Sequence, residues 1–488
     1  MAFTKTPVSD TYSSHRVQIT REINTRAGGL IGKDEDFVNV FMEPVRDKNS
    51  IDHRQFVVKR SGCTQVIGGG ALSPVRGSFY WEDNKKFYYA VGRDIFVYNV
   101  TTASLTGLIN VLATSSGEVG FCEYLYDTNQ VVVIATDGQN LCRIDNSEVL
   151  TVCADPDMPF PHLPFPVFLD GYLFLVKANT ADVYNSDLND PFAWTPGNFL
   201  SAEMEADLVI RIAKLNNYLI VFGTESIEYF WDAANVSGSP MQRNDTPIKI
   251  NTYLGGWAKL GNNIYYIGKD NNSQPDVFML KDFKIENVGT PSVSRYLNVQ
   301  QDGYANWRGN LIGFQGHNFY IVTAGNYTYV MDTETKLWTR WQYQGGTSFP
   351  IVSSDSVTSS TKYNSYFALA VNDSTIYKFD ESLYQDNGTN FPCVIVTEAS
   401  DFDTLNRKTM KRLSIIGDRP PTNSNILIQW SDDDYQTFNT GLSTNLNQDL
   451  PCVYNLGSFR QRCFKLTHQD NTLFRIQELE VDINKGTS

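Results

Sequence analysis

The chain is poor in charge and poorer still in the residues that carry chemistry. Charged side chains make up 19% of its 488 residues, with 5 histidines and 7 cysteines. The histidines stand at 15, 53, 162, 317 and 468, and no pair has metal-ligand spacing. The GxSxG, HExxH and GxxxxGK[ST] patterns do not occur, so the common local marks of a serine hydrolase, a zinc peptidase and a phosphate loop are missing. Gly68-Gly69-Gly70 lacks the following helix that an anion site needs, and reads as a flexible loop. Carboxylates are scattered, with no pair placed as glycosidase acid and base. The expectation is a chain that is not an enzyme, with no catalytic, cofactor-binding or metal residues, no cofactor, and binding residues unassigned.

Other absences bear on compartment and partners. The cysteines are odd in number, form no CxxC, and sit in a chain too long to need disulfide staples; reduced, mostly buried thiols follow. The start, Met1 to Pro7, has neither a basic nor an apolar leader segment, and no apolar run approaches the roughly 20 residues of a membrane-spanning helix. No secretion signal and no membrane insertion are therefore expected. A net charge of −14 argues against a broad grip on nucleic-acid phosphates, but not against a protein that lets nucleic acid pass.

Aromatic residues are plentiful at 13%, which favours strands, and they recur in a pattern. A short apolar run, a Gly/Asn/Asp turn and a second run with an aromatic return at 87, 131, 172, 218, 264, 319 and 366. Phe87-Tyr88-Tyr89-Ala90-Val91, turning through Gly92-Arg93-Asp94 into Ile95-Phe96-Val97-Tyr98-Asn99, is the clearest copy; Tyr366 to Val371, turning at Asn372-Asp373, is the last. A four-stranded propeller blade takes about 40–50 residues, so the period fits one hairpin core per blade. The fold class expected is all-β: a β-propeller of about seven blades, with six or eight open to the same spacing. An ordinary sandwich with irregular hairpins is the competing reading. The outer two strands of each blade are not located by the pattern. Helical periodicity is scarce; Ser201 to Lys214 suits a turn or two of helix and a strand equally. Five prolines between Pro156 and Pro166 make an extended connector between blades.

The flanks differ in texture. Phe37 to Phe41 and Phe56 to Lys59 read as strands near the start, and five further strands follow Cys393. The division expected is an arm with platform strands over 1–60, the propeller over 61–390, and a sandwich platform over 391–488, the terminal flanks forming the platform together. Ser431-Asp432-Asp433-Asp434-Tyr435-Gln436-Thr437-Phe438 resembles the Asp-box turn of sialidase propellers, with Tyr435 at the Gly position and Phe438 at the Trp position. Such boxes are structural turns in which carboxylates cap backbone N–H groups. The basic run Arg407-Lys408-Thr409-Met410-Lys411-Arg412 lacks stacking aromatics and reads as a protected strand edge.

An ordered set of motifs over 168–243 is similar to the packaged-DNA stabilisation proteins of short-tailed phages (podoviruses), also called tail accessory or tail nozzle proteins. It runs through Phe168-Leu169-Asp170-Gly171-Tyr172, Asn185 to Pro191 with Trp194, Leu219 to Phe230, and Pro240-Met241-Gln242-Arg243. Val38-Asn39-Val40-Phe41-Met42-Glu43-Pro44 and Lys59-Arg60-Ser61-Gly62 resemble the family's N-terminal segment, with Ser61 where proline is often found. Trp430-Ser431-Asp432 and Leu456 to Leu466 resemble its closing strands.

The resemblance implies a virion protein, assembled in the host cytoplasm as a homo-hexameric ring below the portal and its adaptor ring. It also implies a ring that extends and closes the DNA channel, retains the packaged genome, and offers attachment to a plug or needle and to tail fibres or tailspikes. Double-stranded DNA would pass through the lumen without specific binding. The alternative from another class is a carbohydrate-binding or sialidase-like propeller that recognises host glycans. Long segments at Ala233–Tyr253 and Asp282–Asn310 are candidates for the channel tip or for neighbouring tail parts.

Overall fold

The computed structural model describes residues 13–19, 36–44, 55–68, 73–126, 130–205, 207–235, 237–245, 252–269, 274–300, 307–359, 362–370 and 374–486. Met1 to Pro7, Gly69-Gly70 and the Asn372-Asp373 turn lie outside them. The chain divides into two compact units, one of Gln65–Asn326 with Pro350–Phe379, the other of Met1–Thr64, Tyr327–Phe349 and Asp380–Ser488.

The first unit is a β-propeller. Five antiparallel four-stranded sheets follow one another along the chain. The first is Val75–Trp81, Lys86–Val91, Asp94–Asn99 and Ser104–Leu108. The second opens with Gly120–Tyr126, the third with Val167–Leu169, the fourth with Val209–Leu215 and the fifth with Thr252–Leu260. A sixth blade contributes the hairpin Arg308–Phe314 and His317–Ala324, and a seventh Ile351–Ser359, Lys362–Leu369 and Ile376–Asp380. The seven apolar runs read from the sequence are the second strands of these seven blades. They are apolar throughout because both faces are covered; Phe87 to Val91 are all at most 2% exposed. Clusters such as Tyr88, Ala90, Val133 and Ala135 fill the spaces between neighbouring blades.

Ser201 to Lys214 contains no helix: Phe199–Ser201 closes the third blade and Val209–Leu215 opens the fourth. The α-helix that does occur among the described residues, Pro291–Val299, lies in the segment after the fifth blade. Thr290 caps it, its hydroxyl accepting from Val293 N at 3.4 Å, and Pro291 takes the first turn, where no donor is needed. The proline-rich connector joins blades two and three, with His162 N donating to Gly138 O at 2.9 Å and Leu163 N to Val176 O at 2.9 Å.

The second unit is a β-sandwich that both ends of the chain build. One sheet runs Val40–Pro44, Gln55–Lys59, Arg475–Lys485, Lys408–Gly417, Cys452–Phe459, with Ser13–Gln18 also pairing Arg475–Lys485. Facing strands include Asp36–Val38, Cys393–Val396, Cys463–His468 and Asn425–Ser431. Phe37, Ile395, Ile426 and Leu466 from one sheet close on Val40, Met410, Leu413 and Val481 from the other in a single core.

Candidate functional site

The innermost strands of all seven blades line one cavity of about 660 Å³. Its narrowness follows from glycine. A Cβ on Gly77 would stand 2.0 Å from Val119 O, one on Gly120 2.0 Å from Pro164 O, and one on Gly309 1.9 Å from Gly256 O. Neighbouring inner strands therefore touch backbone to backbone near their starts, which no other residue type permits. Bulges occur in the same zone, between Val75 and Gly77, Val209 and Arg211, Gly255 and Ala258, and Ile351 and Ser353. Extra residues at such bulges re-aim side chains into the mouth.

Three arginines reach this mouth, at 76, 211 and 308. Arg76 uses all five of its donors: Nε to Gly117 O at 2.8 Å, Nη1 to Gly92 O and Thr114 O, and Nη2 to Thr114 Oγ1 and Ser116 O at 2.7 Å each. Asp137 of the second blade holds Thr114 in turn, accepting from its N at 2.6 Å and its hydroxyl at 2.8 Å. That arginine is a staple between blades. Arg211 is different. Its Cζ lies 3.9 Å from the Phe165 ring centre and 4.3 Å from that of Trp257, and its side chain hydrogen-bonds that of buried Tyr253. Glu118 Oε1 stands 3.9 Å from its Nη1, a long ion pair. Elsewhere on the wall Asp355 accepts from Tyr80 N at 2.7 Å and Ser356 N at 2.8 Å, and burial lifts its carboxyl to about 6. Among the described residues no group of three His, Cys, Asp or Glu is set to hold a metal ion.

In the sandwich unit two arginines organise the motifs noted at either end of the chain. Arg60 is fully buried and also uses five donors, to Asn39 Oδ1 at 3.0 Å, Ser61 O at 3.0 Å, Gln342 O at 2.7 Å and both oxygens of buried Asp386 at 2.8 and 2.6 Å. Phe391 covers it, 3.9 Å from ring centre to Cζ. Asn39 takes φ 58°, a left-handed value asparagine tolerates, and donates Nδ2 to Pro392 O at 2.8 Å. Gly62 is required because a Cβ would fall 2.0 Å from Gln385 O. Beside them burial lowers the Lys59 ammonium to about 8. Near the other end Arg462 grips Asp432 with Nε and Nη2 at 2.7 Å each and lies over Phe459. The Asp-box-like segment is a capping turn: Asp433 accepts from the Thr437 hydroxyl, from Ser431 Oγ at 2.7 Å and from Thr437 N at 2.9 Å, hydrogen bonds that lower its carboxyl to about 2.

A protein-family model described as "Bacteriophage P22 Gp10, beta-propeller", of the phage-stabilisation type, matches residues 28–372. The chain belongs to this family. No curated protein matches it. Solved structures similar to this phage-stabilisation propeller include virginiamycin B lyase from Staphylococcus aureus, at 12% identity and TM-score 0.43, covering 66% of this chain and 98% of the lyase. Another is the N-terminal domain of Nup159, at 12% identity and TM-score 0.40, covering 71% and 100%. These are likenesses of fold.

The expectation that the chain is not an enzyme is corrected here. Solved structures similar to it include a lyase, and that expectation is dropped. The family match does not favour the glycan-recognising alternative. The quoted motif residues fall in two networks of the sandwich unit, Asn39, Arg60 and Gly62 in one and Asp432 and Arg462 in the other, and none of them lines the propeller cavity. Sequence reading missed Arg76, Arg211 and Arg308. The available signal was a cation seven to eleven residues ahead of the apolar runs at 87, 218 and 319.

Proposed function

We propose that this phage-stabilisation propeller works as a tail nozzle: six copies form a ring below the portal and adaptor, extend the DNA channel, and close it to retain the packaged genome. The observation that carries the reading is the match to the phage-stabilisation family over 28–372. A second observation narrows how it would work. B-DNA has a major groove about 12 Å wide, so the whole duplex is wider still. A 660 Å³ cavity pinched by glycine contacts has no room for it. On this reading the passage lies between copies of the chain.

Charge suits a conduit. Six copies at −14 each carry roughly −84, and acidic walls repel phosphates instead of holding them by counterion release. DNA would pass without specific binding. Attachment of a plug or needle and of tail fibres or spikes falls to loops such as those within 233–253 and 282–310, and assembly to the host cytoplasm before incorporation in the virion.

The test is a phage lacking this polypeptide, together with negative-stain microscopy of the purified chain mixed with its adaptor. Six-fold rings, and heads that package DNA and then lose it, are expected. Particles without the protein that keep their full genome would overturn the reading.

A further inference from the structure

We propose that one end of blades four and five is a foothold for unpaired nucleic acid, where Lys214, Lys259, Lys281 and Lys284 meet phosphates and the exposed rings of Trp231 and Phe283 receive bases.

The strand ends bring these residues together. In blade four, Val209–Leu215 delivers Lys214 to a turn that Tyr218 leaves, and Tyr218 pairs across the sheet with Trp231. In blade five, Thr252–Leu260 delivers Lys259, while Lys281 and Lys284 pair across the turn made by Asp282 and Phe283. Two contacts join the blades at this end. Lys259 Nζ donates to Lys214 O, and the Phe283 ring meets that of Tyr218 edge-on, with 5.1 Å between centres. Phe283 also lies 4.9 Å from the Tyr229 ring. The rings are held in place but not covered: Trp231 and Phe283 are each 42% exposed.

Charge at this end is uncompensated. Among the described residues none of the four lysines forms an ion pair. The acids on the same strands and turns, Asp232, Asp282 and Glu286, pair with none of them, and Asp232 accepts from Ala234 N at 2.7 Å instead. Partial desolvation and the like charge of Lys214 lower the Lys259 ammonium. Four crowded cations therefore stand on a chain whose formal charge is −14. A polyanion relieves that crowding. Lysine is depleted at the centre of protein–protein interfaces, whereas lysines beside exposed aromatic rings are the composition that takes single strands. Rings of this kind stack on any base, so sequence is not read. A closed duplex keeps its bases stacked inside, which leaves unpaired ones as the partner of the rings. DNA as the natural source, at an opened end of the packaged genome, rests on the nozzle reading.

The full-length chain is titrated at low salt with a fluorescein-labelled oligothymidylate, with a blunt duplex and with polyglutamate, following anisotropy and tryptophan fluorescence. Saturable binding to the single strand is expected, about tenfold tighter than to the duplex. Four phosphate contacts should give a slope of about −3 for log K against log salt. Lys281→Gln with Lys284→Gln should halve that slope. Trp231→Ala should keep the slope and weaken binding about tenfold, with Trp231→Phe restoring most of the loss. Arg419→Gln, an exposed cation of the sandwich unit, should change neither. Should Trp231→Ala fail to fold, the lysine pair, which sits in an exposed turn, is read with Trp231→Phe. No saturable binding of the single strand, or wild-type affinity in the variants that fold, overturns the proposal. Polyglutamate binding that equals the oligonucleotide's and ignores Trp231→Ala also overturns it, and assigns the patch to an acidic protein. Every readout uses the isolated chain, so failure here leaves the ring to be judged by microscopy and by phage lacking the polypeptide.

Discussion

At the scale of the residue, the strongest single commitment in the molecule is Arg60. Its ion pair with Asp386 is fully buried on both sides, and Gln344 N also donates to the same carboxylate at 3.1 Å. Such a pair is not chiefly a source of stability, since desolvation offsets much of its attraction, but breaking it strands a buried charge. Arg60→Met should therefore lower the stability of the sandwich unit by about 3–5 kcal/mol, read from urea unfolding. Adding Asp386→Leu should recover a large part of that loss. A double variant as unstable as the sum of the singles would mean the two residues act independently. His162 makes a second residue-scale case. Its Nδ1 faces Pro159 O at 3.0 Å and must donate, so Nε2 accepts from the Thr136 hydroxyl at 2.6 Å and the ring is held neutral. Burial lowers its pKa from 6.5 to about 4, against the opposing hydrogen bond to Pro159 O and the charge of Asp137. Because the folded value is depressed, its contribution is present above pH 6.5 and is lost as pH falls toward 4. The full loss is about 3 kcal/mol. His162→Asn should flatten the fall in thermal midpoint between pH 7 and 5. Asp355 works oppositely: its pKa is raised to about 6, so its contribution is lost as pH rises through that value.

At the scale of the element, legibility tracked burial. The second strands of the blades announce themselves because both faces are covered; Ile264 to Ile267 are at most 1% exposed. The first strands were hidden because one face lines a polar cavity. Val75-Arg76-Gly77-Ser78 mixes a cation, a glycine and a serine, and its bulge breaks the alternation that marks a strand. The fourth strands were hidden because edges are wet: Ser104 to Gly107 are exposed. The helix at Pro291–Val299 carried its signal in Thr290-Pro291, a cap followed by a first-turn proline, but it is too short for its periodicity to stand out. The anchors of the sandwich were visible as motifs, whereas their partners Gln342 and Asp386 lie about 300 residues away from Arg60 and carry no local mark. The glycine contacts between inner strands yield the prediction at this scale. Gly309→Ala places a Cβ 1.9 Å from a backbone oxygen that cannot rotate away, so the two strands must part. A loss of about 2–3 kcal/mol is expected, as for an overpacked core. Gly261→Ala, at φ +55° with nothing within 4 Å, should cost only about 1 kcal/mol of backbone strain. Equal losses in the two variants would show that the inner strands yield easily.

At the scale of the whole molecule, charge would set how copies of the chain meet in the proposed ring. Each carries −14, with 54 acidic against 40 basic residues, so bringing copies together gathers like charge. Salt shortens the reach of that repulsion, from about 10 Å at 0.1 M to 3 Å at 1 M. If ring contacts are mainly apolar and backbone-mediated, raising salt should strengthen assembly. The ring fraction measured by analytical ultracentrifugation should then rise monotonically with sodium chloride. If instead exposed basic residues such as Arg407 and Lys411 dock on acidic faces of a neighbour, screening would weaken the attraction and the fraction would fall. The two cases differ in sign, so a salt series separates them. Removing the basic patch sharpens the result. Changing Arg407 and Lys411 to glutamine should leave the salt dependence rising in the first case. In the second it should abolish rings at low salt, where attraction between opposite charges has its longest range.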